Sequence, residues 1–183
     1  MDQKKPVWKI VVLGLIALIG AFCAVVSMQP SDYSVSRSVV IAAPAEDVFP
    51  HLNDLQKWND WSPWAKLDPN AKTTFTDATA GVNASMTWDG NDQVGAGQMT
   101  ITETSPGALV RYRLDFSRPM EDTAMAEFTL APTDGGTNVT WKMYGQNDSF
   151  FKKAFWFALC QHMIGGAFDE GLQALKTTVE TPA

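Results

Sequence analysis

From Ile10 to Met28 the chain runs nineteen residues without a charged side chain, IVVLGLIALIGAFCAVVSM. As a helix rising 1.5 Å per residue, the run extends about 28 Å, close to the hydrocarbon thickness of a bilayer. Gly14 and Gly20 fit such a helix, whose backbone hydrogen bonds are all internal. Ahead of it lie Lys4, Lys5 and Lys9 against Asp2, a local charge of +2 in a chain whose net charge is -6, which leaves -8 for the remainder. Basic flanks stay in the cytoplasm. The pattern therefore predicts a cytoplasmic tail over 1–9, a transmembrane helix over 10–28 and a linker over 29–32. The remaining domain is then expected on the extracytoplasmic, periplasmic side. A cleaved signal peptide is the alternative, with Val25 and Ser27 at the small-residue positions before a cut. The apolar run exceeds an ordinary signal core, which favours the anchor.

Removing the first 29 of 183 residues leaves 154, the size of one ordinary domain. With 45% hydrophobic and 19% charged residues, the chain has the makings of a packed core and not of a disordered segment. Two Cys and two His exclude a disulfide framework and a zinc finger. The acidic balance excludes nucleic acid as a partner.

Past Pro30 the apolar period changes to two. Tyr33, Val35, Val39 and Ile41 alternate with serines, which predicts a strand. Pro44 opens a helical stretch with Glu46 and Asp47 in its first turn, where negative charge suits the helix dipole. Three indoles follow in seven residues, Trp58, Trp61 and Trp64. Six further strands are predicted over 71–77, 82–88, 97–104, 108–116, 122–131 and 137–144, with turn residues between them. Such short links favour an antiparallel meander. One phase carries Ala84, Met86, Trp88, Met99, Ile101, Tyr112, Leu114, Phe116, Ala126, Phe128, Val139, Trp141 and Met143. The other carries Arg111, Arg113, Asp115, Glu127 and Lys142. One sheet face is thus wet and the other needs a cover. A helix over about 149–178 supplies it, with one stripe of Phe157, Ile164, Phe168, Leu172, Leu175 and Val179 and an adjacent one of Phe151, Phe155, Ala158 and His162. Gly165-Gly166 interrupts it, either for close packing or where helix and ligand meet.

This order of elements resembles the helix-grip fold of the START-like superfamily, and within it the polyketide cyclase/dehydrase-like SRPBCC group. The carrying segments are Ser38–Phe49, Trp58-Asn59-Asp60-Trp61-Ser62-Pro63-Trp64, Gly95–Met99, Gly136–Trp141 and Phe168-Asp169-Glu170-Gly171-Leu172. The likeness covers 33–180. It implies an α+β fold: a seven-stranded curved antiparallel sheet, two short helices after the first strand and a long C-terminal helix, with the transmembrane helix added. It also implies a cavity between sheet and helix that often holds a hydrophobic molecule, while leaving activity open.

The chain contains no GxSxG elbow, P-loop, HExxH or CxxC. Neither a metal nor a cofactor is expected. Trp64, Met86, Trp88, Met99, Tyr112, Phe116, Phe128, Trp141, Phe155 and His162 are the candidates for a ligand-binding pocket, with core filling as the competing role. Trp58 and Trp61 are assigned to packing. His51 is expected to be exposed and inert. Arg37 and Glu103 occupy apolar-phase positions near strand ends, where the side chains either reach solvent, the favoured reading, or together hold a polar head group. The leading expectation is a membrane-anchored domain binding a hydrophobic small molecule or lipid. The alternatives are a cyclase- or hydrolase-like enzyme using His162 and Glu103, and a ligand-free interaction domain.

Overall fold

The computed structural model describes residues 7–181, and the side chains within that span apart from residue 7 and residues 159–162. Most of the basic tail, and the side chains of Cys160 and His162, fall outside the described part. Helix α1 spans Val7–Met28, and its Trp8–Met28 stretch is long and apolar enough to cross a membrane.

Seven strands form one antiparallel sheet: β1 (Asp32–Ile41), β2 (Lys72–Phe75), β3 (Ser85–Asp89), β4 (Ala96–Ser105), β5 (Leu109–Arg118), β6 (Asp122–Thr133) and β7 (Gly136–Gln146). Their order is β1-β7-β6-β5-β4-β3-β2, so the first strand joins the last, from Asp32↔Gln146 to Ile41↔Thr137. The expected meander is present. β3 starts later than expected because Gly81 and Asn83 both take positive φ, making a turn ahead of it.

Between β1 and β2 lie α2 (Ala45–Asn53), a 3₁₀ turn (Leu55–Lys57), α3 (Trp58–Trp61) and α4 (Pro63–Leu67). Three short α segments thus stand where two were expected. Pro63 accounts for the extra break: the residue before a proline is pushed out of the helical region, and Ser62 sits at φ -61°, ψ 130°. Side chains tie this layer to the sheet. The Tyr112 hydroxyl donates to the Leu52 carbonyl at 2.6 Å, and Thr104 Oγ1 donates to Asn53 Oδ1 at 3.1 Å. The Trp61 indole donates to the His51 carbonyl at 3.1 Å, fixing α3 against α2.

The C-terminal helix comes in three parts: α5 (Phe150–Phe155), a π-helical turn (Trp156–Cys160) and α6 (Gln161–Glu180). Ser149 caps α5 by accepting from the Lys152 N–H. From Ile164 onward the expected stripe packs on the core, with Phe168, Leu172 and Leu175 fully buried. Upstream it fails. Phe157, Phe155 and Phe151 are exposed, and Trp156 packs inward on Tyr33 at 3.9 Å between ring centres. The π-turn is the reason, since an extra residue in the coil rotates everything before it by about 100°.

α6 packs on β1, α3 and α4 and does not cover the whole inner face. Its C-terminal end is tied to β1, where Lys176 Nζ donates to the Val40 carbonyl at 2.9 Å and Glu180 accepts from the Ala42 N–H at 2.7 Å. Gly171 sets its approach to the core. A Cβ there would lie 2.9 Å from the Trp141 ring and 3.0 Å from Pro63. A helix-interior glycine costs about 1 kcal/mol relative to alanine, and here that cost is offset by close packing. Gly171→Val should therefore destabilise the protein by about 1–3 kcal/mol through overpacking, measured by urea unfolding; an unchanged midpoint would contradict this contact.

Candidate functional site

The core holds a continuous aromatic cluster. Trp141 of β7 stacks on Phe168 of α6 with 3.9 Å between ring centres and 7° between planes. Trp58, Trp61 and Trp64 meet Trp141 edge-on at 5.7, 5.6 and 5.7 Å. Edge-to-face rings place a positive edge on a negative face, so the cluster is rigid as well as apolar.

Beside this cluster, over strands that α6 leaves uncovered, is a cavity of about 460 Å³. Its floor is the inner face of the sheet: Met86 and Trp88 from β3, Met99 from β4, Leu114 and Phe116 from β5, Ala126 from β6, and Trp141 and Met143 from β7. The wall is made by Trp58, Trp64 and Ala65 of the short helices and by Ile164 and Phe168 of α6. Asn59, Asp68, Thr73 and Val94 contribute to the rim. The Asp68 carboxylate is occupied: it accepts from the Asn91 N–H at 2.7 Å and the Asn70 N–H at 3.1 Å. Two polar groups of lining residues, the Ser62 hydroxyl and the Trp141 indole N–H, are buried without a hydrogen-bond partner. Among the described residues no three His, Cys, Asp or Glu side chains cluster as metal ligands would.

Of the residues singled out from sequence, Trp64, Met86, Trp88, Met99, Phe116 and Trp141 meet around this cavity. Tyr112 and Phe128 do not line it. Both are fully buried in the core beneath α2 and α3, and burial raises the Tyr112 hydroxyl far above its ordinary pKa. Phe155 is 44% exposed on the outside of the C-terminal helix, displaced by the π-turn. His162 lies at the start of α6, with its side chain outside the described residues. Trp58, assigned to packing, both packs and lines the cavity.

Glu103 is on the opposite face of the sheet from the cavity. The register of β4 against β5 shifts between Ile101 and Glu103, and this bulge at Thr102 reverses the alternation. Glu103 consequently pairs with Arg111, which also binds Glu127 at 3.0 Å on the wet face. That second hydrogen bond is the main reason the Arg111 pKa is raised. Arg37 is on the inner phase of β1 but does not meet Glu103. Its guanidinium reaches Asp169 of α6 at 3.1 Å, crossing Gly165, where a Cβ would come within 2.4 Å of Nη2. Gly165 thus makes room for Arg37 and not for a ligand. His51 is half-buried instead of exposed, with its Nδ1 lacking a partner, and its pKa is lowered by desolvation and then by Lys57.

An antiparallel sheet gripping a long helix, with an apolar cavity between them, defines a helix-grip domain. The profile of the polyketide cyclase/dehydrase and lipid transport family matches residues 32–180, and the chain belongs to that family, within the SRPBCC superfamily. No curated protein sequence matches it. Among solved structures it is similar to protein CV1439 from Chromobacterium violaceum, at 20% identity and a TM-score of 0.59, covering 84% of this chain and 99% of that one. Protein MLL2253 from Mesorhizobium loti is similar at 14% identity and a TM-score of 0.62, covering 82% and 99%. Ara h 8.0201 is similar at 11% identity and a TM-score of 0.58, covering 81% and 97%. At these identities the likeness is one of fold.

Core and cavity wall differ in what a truncation removes. Phe128→Ala should cost about 3–5 kcal/mol, as expected for a fully buried ring. Phe116→Ala, half-buried at the cavity, should cost no more than about half as much. Equal losses in chemical denaturation would mean that the cavity wall is packed like the core.

Proposed function

We propose that this protein is a membrane-anchored binding domain that holds a hydrophobic or amphipathic small molecule, such as a lipid, between sheet and helix. The cavity carries this reading. It lies in the size range of small-molecule sites, and aromatic, aliphatic and Met side chains dominate its lining. The driving force is desolvation: burying ~300 Å² of apolar ligand surface gives roughly 7 kcal/mol before the entropic cost of binding. Trp64, Met86, Trp88, Met99, Phe116 and Trp141 are the proposed contacts.

In this reading α1 stays uncleaved in the inner membrane, with the N-terminus cytoplasmic and the folded domain periplasmic. The lysines before the span support that orientation. Tethering holds the cavity beside a reservoir of lipid-dissolved molecules.

The test is titration of an apolar fluorophore into residues 30–183. Binding should saturate at one site, and Leu114→Trp, which fills the cavity from its floor, should weaken it at least tenfold with unchanged circular dichroism. Equal binding by this variant would contradict the proposed site.

A further inference from the structure

We propose that α5 and the π-turn after it form a membrane-contact element, laying Phe150, Phe151, Phe155 and Phe157 into the leaflet from which α1 emerges. This rests on the reading of α1 as a membrane anchor.

The sequence pattern turns three of these rings inward, Phe151, Phe155 and Phe157, and the structure turns all four out. Phe151 is 81% exposed, Phe155 44%, Phe157 39% and Phe150 38%. Four outward phenylalanines in eight residues are unusual for a surface facing only water. An aromatic-rich helical face lying in the plane of the interface is a common way to dock on a bilayer.

The attachment of α1 puts that face at the right height. Most of α1 is exposed along its length, but Val26 is completely buried, and α5 is the element on which α1 packs. Lys153 Nζ donates to the Gln29 carbonyl at 3.1 Å, and the Asn147 N–H donates to the Ser31 carbonyl at 2.7 Å, closing the junction. Val26 is two residues from the end of the span, about 3 Å along the helix axis. α5 therefore lies where α1 leaves the hydrocarbon, and its rings are within reach of the acyl boundary.

The charges on α5 indicate how the contact works. Lys152 is engaged by Asp122 at 3.0 Å and Asp148 at 3.2 Å, and Lys153 by the Gln29 carbonyl. Both cations already have protein partners, so the contact depends on aromatic insertion and not on anionic head groups. The same helix continues into Ile164 and Phe168 of the cavity wall, which joins the bilayer surface to the site within one covalent element.

The test uses the full chain in phosphatidylcholine nanodiscs, with Cys23→Ser and Cys160→Ser and a single spin label at Phe151→Cys. A matched label at Asp134→Cys, in the turn at the far end of β7, is the reference. The Phe151→Cys label should favour collisions with oxygen over a water-soluble nickel chelate at least threefold more than the Asp134→Cys label does. Phe155→Cys should give the same result. Equal accessibility of 151 and 134, in protein that floats with the lipid, would overturn the contact while leaving the anchor intact. Dipolar coupling between labels on two chains at 151 would show a second copy covering the rings and would also overturn it. A chain that does not float with lipid would overturn the anchor itself, and this proposal with it.

Discussion

Trp141 and Phe168 lie face to face at 3.9 Å, and through them the sheet and the C-terminal helix become one body. Gly171 permits the approach by leaving no Cβ between helix and indole. Trp58, Trp61 and Trp64 then close on the same ring from the short helices. The cavity follows from this arrangement. A seven-stranded inner face is wider than one helix, and α6 is pinned on the β1 side by Lys176, Glu180 and Arg37. The short helices cover the middle of the sheet, while parts of β3, β4 and β5 face a space that neither layer fills.

Much of this was legible in the sequence, because strands with one wet face declare themselves by period two. Alternation alone puts Met86, Met99, Phe116 and Trp141 on the inner face of the sheet, while a cavity over that face is implied only by the family resemblance. Alternation fails where an extra residue enters without any compositional mark. Thr102 is such a residue in β4, and it sends Glu103 to the outer face, where Arg111 neutralises it. The π-turn is another, and it moves Phe151 and Phe155 out while bringing Trp156 in against Tyr33. In each instance the sequence on either side is regular, and only the tertiary contacts decide where the extra residue goes. The closure of the cavity by Trp58 was also hidden, since a residue one short turn ahead of the break at Pro63 gives no sign of which layer it will face.

The charged groups form a pattern of their own. Arg111 with Glu103 and Glu127, and Arg113 with Asp115, lie on the wet face; the more exposed Arg113–Asp115 pair contributes little to stability, while Arg111–Glu127 is part-buried. Inside, the described lining has one carboxylate, Asp68, and it is bound by the backbone N–H groups of Asn70 in its own loop and of Asn91 in the β3–β4 turn. Such a lining offers an apolar surface with little charge, and under the proposed function it would select a ligand by shape and by the exclusion of water.

The account stands on that cavity being occupied in the cell. Mass spectrometry of an organic extract of the domain, purified as residues 30–183 without detergent after export, tests this directly. One apolar or amphipathic species should be recovered near equimolar with the protein, and it should be lost in Leu114→Trp. A protein that carries no molecule, or one whose bound molecule is unaffected when the cavity is filled, would contradict the account.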